Sequence, residues 1–129
     1  MKKLPIVLAA ITAALPSVAR AGGDAVLGRK VFNKCIVCHD ATADRNKVGP
    51  SLVGVMGRTA GTLESFGSRY SEAMISAGEE GLVWNEASLA KYLREPKAAV
   101  PGNRMAFTGL AKDEDIANVI AYLNADPKP

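Results

Sequence analysis

The chain has 129 residues, enough for one small domain, and carries 16 basic and 13 acidic side chains for a formal net charge of +3. Three of the basic residues, Lys2, Lys3 and Arg20, lie within the first 21 positions. Removing these three leaves 13 basic residues against 13 acidic ones, so the rest of the chain is formally neutral. This neutrality, and the lack of a basic stripe, excludes the electrostatic footprint of a nucleic-acid-binding protein.

The first 21 residues have the pattern of a secretory signal peptide. A basic start is followed by an apolar stretch, which ends in Ala19-Arg20-Ala21, an Ala-x-Ala cleavage site. The stretch is interrupted by Pro5 and Pro16 and is too short to span a bilayer. We therefore expect cleavage after Ala21, a mature domain over residues 22–129, and export to the periplasm.

The mature chain begins with a predicted helix. Asp24 is expected to cap it, and the helix is expected to run to about Lys34 with Ala25, Gly28 and Phe32 on one face. A glycine inside a helix costs about 1 kcal/mol relative to alanine, so Gly28 predicts the close approach of another helix.

The segment that follows, Cys35-Ile36-Val37-Cys38-His39, carries the strongest chemical signal. Two cysteines three apart with a histidine after the second are the attachment signature of a c-type haem, because each thiol can add to one haem vinyl group and the histidine can face the iron. The chain has no other cysteine or histidine. A thioredoxin-like disulfide needs a βαβ context, and a structural zinc site needs four protein ligands. We therefore expect one haem c per chain, bound through Cys35 and Cys38.

Residues 40–61 are rich in charged residues, glycine and proline, which predicts a long loop that wraps the cofactor. Ser71 is then expected to cap a short helix that ends at Ala77 before Gly78. Asn85 is expected to cap the next helix, over residues 86–95.

Pro96 is predicted to end that helix, and residues 98–109 are predicted to form a second loop. The last helix should begin at the acidic residues 113–115, whose charges suit its N-terminal dipole. Its predicted apolar stripe is Ile116, Val119, Ile120 and Leu123. Because the sequence shows no convincing alternating strands, we expect an all-α domain of short helices around one haem.

A second axial ligand for the iron must come from a residue other than histidine. Methionine is the usual partner in electron-transfer cytochromes, and the mature chain offers Met56, Met74 and Met105. Met74 falls on a predicted helix among apolar residues, which favours core packing. Spacing alone favours Met105, in the second loop, over Met56 in the first.

Two segments make the chain similar to the class I c-type cytochromes, most of all to the bacterial cytochromes c2. Pro101-Gly102-Asn103-Arg104-Met105-Ala106-Phe107 resembles their methionine-ligand loop. Gly49-Pro50-Ser51-Leu52 with Gly54, Gly57 and Arg58 resembles the segment after their haem histidine. Further matching positions are Gly28, Phe32, Trp84, Tyr92, Leu93, Pro96 and Tyr122.

The resemblance implies a role for each matching residue. The Pro50 carbonyl would accept a hydrogen bond from His39, and Tyr92 would lie near the Met105 sulfur. Residues that would bind or shield the haem propionates are Arg58, Tyr70, Trp84 and, where many relatives have threonine, Asn103. The segment 65–69 is longer than in mitochondrial relatives, which leaves the placement of Tyr70 open. Gly28 and Phe32 would meet Tyr122 where the first and last helices cross.

The expected function is that of a soluble, monomeric, periplasmic one-electron carrier, which is not an enzyme. Its implied partners are a bc1-type complex as donor and a photosynthetic reaction centre or terminal oxidase as acceptor. The basic side chains that would steer the exposed haem edge towards acidic partners are Lys34, Lys47, Lys97 and Arg104. The alternative is a ligand-binding or peroxidase-like haem protein with an open sixth iron position.

Overall fold

A computed structural model describes residues 1–2 and 22–129. The predicted signal peptide therefore lies outside the described residues, apart from its first two positions. The described chain contains five α-helices: α1 Ala25–Phe32, α2 Glu72–Glu79, α3 Glu86–Arg94, α4 Pro96–Ala99 and α5 Asp113–Asn124. A single 3-10 turn, Gly67–Arg69, precedes α2. Within the described residues no strand forms, only one isolated bridge between Thr59 and Val83. The predicted all-α class is confirmed.

The crossing of α1 and α5 depends on Gly28. A Cβ atom at this position would lie 1.8 Å from the Asn118 carbonyl oxygen, so no larger residue fits without moving a backbone. One turn later, the rings of Phe32 and Tyr122 meet with their centroids 5.4 Å apart. Both side chains are buried, and burial of each stabilises the crossing by about 1.5–3 kcal/mol. The predicted contact of Gly28 and Phe32 with Tyr122 is confirmed.

The predicted helix caps are confirmed at three positions. The Asp24 carboxylate accepts hydrogen bonds from the backbone N–H groups of Val26 and Leu27 at 2.8 and 3.0 Å. Ser71 accepts from the N–H of Met74 at 3.1 Å, and Asn85 shares a reciprocal capping box with Ser88. These caps satisfy N–H groups that the first turn of a helix leaves unpaired.

The helix ends differ from the sequence prediction in three places. Helix α1 ends at Phe32 rather than near Lys34, because the chain turns there to present the cysteines. Helix α2 continues through Gly78, which does not end it but allows close packing: a Cβ there would lie 1.9 Å from the Ala60 carbonyl oxygen. Pro96 ends α3 but also begins the four-residue α4, so the start of the predicted second loop is wrong.

No helix in the described part of the chain is both long enough and apolar enough to cross a membrane.

Candidate haem-binding site

A cavity lies between the helices and receives side chains from α1, α2, α3, α5 and both long loops. Its lining is mostly apolar, with contributions such as Phe32, Leu89, Leu93 and Leu123. Each of the ten site residues predicted from the sequence lines this cavity: Cys35, Cys38, His39, Pro50, Arg58, Tyr70, Trp84, Tyr92, Asn103 and Met105.

A tight turn after α1 brings the two cysteines and the histidine to the cavity together. The N–H of Cys38 and the N–H of His39 both donate to the Cys35 carbonyl, at 3.0 and 2.9 Å. Both thiols are free and half-buried. Burial raises the pKa of the Cys35 thiol, and the nearby positive charge of Lys34 opposes that rise. The turn therefore presents two thiols and one imidazole to the same space.

The loop that follows holds the His39 ring in one orientation. The ring nitrogen Nδ1 lies 2.8 Å from the Pro50 carbonyl oxygen, which fixes the proton on Nδ1 and leaves Nε2 as the nitrogen that can bind a metal. Gly49 lies against the ring, where a Cβ would be 2.3 Å from His39 Cε1. Burial lowers the pKa of His39, the Pro50 hydrogen bond opposes this, and the Lys47 charge adds to the lowering. The imidazole is therefore held neutral.

Asp40 organises the turn just beyond the histidine. Its carboxylate accepts hydrogen bonds from the N–H groups of Thr42 and Ala43, and it pairs with the Arg45 guanidinium at 2.7 Å. These backbone hydrogen bonds, with a smaller contribution from Arg45, lower the pKa of Asp40 to about 2. The side chain therefore remains a charged hydrogen-bond acceptor throughout the neutral range.

Two of the three candidate methionines line the cavity, Met74 from α2 and Met105 from the second loop. Met56 does not line it. The Tyr92 hydroxyl lies 3.9 Å from the Met105 sulfur, and burial raises the pKa of Tyr92 to about 12, so the phenol keeps its proton as a donor. The N–H of Met105 also donates to Asn103 at 2.9 Å. Met105 is thus held at both its backbone and its sulfur.

The residues expected to meet the propionates are already hydrogen-bonded within the protein. Arg58 donates to the carbonyls of Ser51 and Val53, each at 2.8 Å, which leaves other guanidinium N–H groups for a ligand. The side-chain amide of Asn103 donates to the carbonyls of Pro96 and Val100 at 2.9 and 2.8 Å. Both amide protons of Asn103 are therefore engaged in shaping the Met105 loop.

The two remaining candidates, Trp84 and Tyr70, are aromatic and buried. Trp84 packs on Tyr92 with ring centroids 4.9 Å apart, and the Tyr70 hydroxyl accepts from the Leu63 N–H at 3.3 Å. Their propionate roles stay predictions, as does that of Asn103.

The donor set around the cavity fits a c-type haem. The cavity is apolar, and its two free thiols suit covalent attachment of a haem. The oriented imidazole and the thioether suit ligation of the iron by histidine and methionine. Among residues 1–2 and 22–129, no three His, Cys, Asp or Glu side chains form a cluster that could hold a metal ion directly.

Two residues of the site were missing from the sequence prediction. The sequence places Gly49 only in a Gly-Pro loop and gives no sign that it contacts the histidine. In the structure its backbone lies so close to the His39 ring that a side chain there would clash. Asn46, whose amide binds the N–H of Ser51 at 2.9 Å, gave no sequence signal, because a polar residue in a polar loop looks like solvated surface.

Comparison with known proteins gives consistent results. A family model described as Cytochrome c matches residues 25–125. Cytochrome c2 of Afifella marina is 50% identical over 103 residues, covering 78% of this chain and 82% of that protein. Cytochrome c2 of Blastochloris viridis is 39% identical over 131 residues, covering 98% and 97%. A solved structure, cytochrome cH from Methylobacterium extorquens, aligns with a TM-score of 0.70 and 40% identity, covering 78% of this chain and 97% of that one.

Proposed function

Because this chain belongs to the cytochrome c family, we propose that it is a periplasmic one-electron carrier whose haem iron is held between His39 and Met105. Family membership itself establishes two coarser statements. The chain binds haem c covalently through Cys35 and Cys38, and it carries electrons rather than catalysing a reaction.

The proposal rests on one observation. The two candidate iron ligands, His39 and Met105, line the same cavity, and each is held by a neighbouring residue. His39 is oriented by the Pro50 carbonyl, and Met105 receives the Tyr92 hydroxyl at its sulfur. When bound, haem supplies the one-electron couple. The chain's residues bind and orient it from both loops, and the buried Trp84 and Tyr92 exclude water. Ligands fixed in this way need not move between oxidation states, and burial disfavours the additional charge of the oxidised iron.

We also propose that residues 1–21 are removed on export and that residues 22–129 are the mature carrier. The Ala-x-Ala ending at Ala21 supports the cleavage site. The capped start of α1 at Asp24 supports a folded domain that begins shortly after that site.

The experiment that tests the function uses holoprotein purified from a periplasmic extract. The oxidised protein is expected to show the weak near-infrared band of sulfur bound to ferric haem, and the reduced protein to bind carbon monoxide poorly. Its intact mass should equal residues 22–129 plus one haem. A missing band together with rapid carbon monoxide binding would replace the carrier with a ligand-binding haem protein.

The proposed docking surface surrounds the cavity near the cysteines. Lys34 and Arg104 line the cavity, and three apolar side chains beside it are exposed by 49, 76 and 74%: Ile36, Val37 and Val48. An apolar centre with basic neighbours suits brief contact with an acidic redox partner. We propose that the partners are a bc1-type donor and a reaction centre or terminal oxidase as acceptor.

The other two predicted docking residues also bind backbone. The Lys47 ammonium contacts the Ile36 carbonyl, and the Lys97 ammonium contacts the Asn103 carbonyl. Their replacement would disturb the two loops that hold the haem ligands. A test of steering should therefore leave both in place.

Neutralising Lys34 and Arg104 together, as Lys34→Gln/Arg104→Gln, is expected to slow association with an acidic partner about tenfold at low ionic strength, because steering raises association rates by ~10–1,000-fold. Stopped-flow electron transfer over a salt series measures this rate. The control, Lys30→Gln/Lys91→Gln, removes the same charge from exposed residues that do not line the cavity. Equal slowing by both pairs would mean that net charge, not this surface, governs the encounter.

A further inference from the structure

The peptide unit between Pro50 and Ser51 is hydrogen-bonded at both of its polar groups. Its carbonyl oxygen lies 2.8 Å from His39 Nδ1, and its N–H donates to Asn46 Oδ1 at 2.9 Å. This peptide is trans, so its C=O and N–H point in opposite directions. Whatever holds the N–H therefore also sets the direction of the carbonyl that meets the histidine.

Asn46 is itself held from the outside. Its amide nitrogen donates to Ser65 Oγ at 3.0 Å, across 19 residues of sequence. The neighbouring Arg69 contacts the Lys47 carbonyl and stacks 4.5 Å over the Phe66 ring. The segment 65–69 thus fixes the loop that carries Asn46, and Ser51, at the inner end, is completely buried.

Hydrogen bonds in such a series polarise one another. When the N–H of a peptide unit donates to a strong acceptor, the carbonyl of the same unit becomes a better acceptor, by about 10–30% per bond. A stronger hydrogen bond from the His39 ring gives the imidazole more negative character, and a more basic ligand stabilises the oxidised iron. The effect of Asn46 should therefore reach the haem through His39, without any contact between Asn46 and the haem.

We propose that Asn46 is a positioning residue that aims and polarises the Pro50 carbonyl at His39, and that Ser65 holds Asn46 in place. This inference rests on the proposed ligation of the iron by His39. It assigns a redox role to segment 65–69. Asn46 and Ser65 together lower the reduction potential of the carrier.

The test compares three variants of the holoprotein. Asn46→Ala removes the acceptor of the Ser51 N–H, and Ser65→Ala removes only the outer support. Asn118→Ala is the matched control, because that buried asparagine accepts the Asp24 N–H at 2.8 Å but does not line the haem cavity. The readouts are the reduction potential, the paramagnetically shifted haem-methyl resonances of the oxidised protein, and hydrogen exchange at the Ser51 amide.

In Asn46→Ala, the equilibrium constant for reduction is expected to rise about two- to fourfold, the size that polarisation of one strong hydrogen bond would produce. The haem-methyl shifts should change because the His39 ring rotates, and the Ser51 amide should lose protection. Ser65→Ala should give the same changes in smaller measure. Asn118→Ala should lower the melting temperature without moving the potential or the haem-methyl shifts.

Two results would overturn the inference. The first is a Ser51 amide whose protection survives Asn46→Ala, and the second is a loss of protection with a potential and methyl shifts that match the Asn118→Ala control. An error in the proposed ligation would give a different result. If His39 did not bind the iron, the spectrum of the parent protein would show no hyperfine-shifted resonances from the His39 ring protons.

Discussion

Production of a Cys35→Ala/Cys38→Ala variant is expected to yield little folded protein and little protein that contains haem. The cavity proposed for the haem has a volume of about 290 Å³ and is lined by residues of four of the five described helices. At about 24 cal/mol per Å³, leaving it empty would cost on the order of 7 kcal/mol. The whole stability of a domain is typically ~5–15 kcal/mol, so the apoprotein should be largely unfolded under conditions where the holoprotein is folded.

Circular dichroism and thermal melting of the exported protein, with a stain for covalent haem, measure this outcome. The single variants Cys35→Ala and Cys38→Ala serve as controls, because each keeps one thioether and should retain more folded protein than the double variant. Adding free haem to the purified double variant should restore helicity, since His39 and the cavity are intact. A double variant that melts cooperatively without haem, at the parent temperature, would show that the polypeptide core suffices by itself.

A Met105→Ala variant should lose the near-infrared band of the oxidised protein and bind carbon monoxide readily when reduced. Its reduction potential should fall by on the order of 0.2 V, a part of the roughly 0.8 V over which axial ligands set haem potentials. The reason is that a thioether favours reduced iron, and the water or hydroxide that would replace it favours oxidised iron. Optical spectra and a redox titration measure both changes.

Met74→Ala is the matched control for this prediction. Met74 is the other methionine that lines the cavity, and its helix position favours packing over ligation. The control should keep the near-infrared band and the potential while losing about 0.5–3 kcal/mol of stability, the usual range for a single substitution, because Met74 is only partly buried. The opposite pattern, with the band lost in Met74→Ala and kept in Met105→Ala, would transfer the ligand role to Met74.

The helices were largely predictable because their signals are local. Asp24, Ser71 and Asn85 each precede a helix as caps, and each cap binds its own first turn in the structure. The errors also have a physical cause. Gly78 resembled a helix end, but its missing side chain serves a contact with Ala60, 18 residues away in sequence. A glycine stop and a glycine that admits a neighbouring backbone look the same in a sequence.

The site residues also differ in whether a local sequence signal identifies them. Cys35, Cys38 and His39 could be assigned from five consecutive letters, since attachment chemistry requires them to be neighbours. Met105 and Tyr92 could be named by resemblance, and the structure brings both to the cavity that the cysteines line. Asn103 is predicted to meet a propionate, and that role stays a prediction. Its amide protons bind the carbonyls of Pro96 and Val100, a pairing that depends on how the loop folds back on α4.

The haem attachment, the all-α class and the short set of possible axial ligands could be predicted from the sequence, because they follow from adjacent residues and helical periodicity. The groups that support those ligands could be identified only in the folded structure. Gly49 against the His39 ring, Asn46 on the Ser51 N–H and Ser65 behind Asn46 meet through the path of two loops, and no local pattern encodes that path. Hydrogen bonds between residues distant in sequence depend on the packed fold, since the fold alone sets their distances and directions.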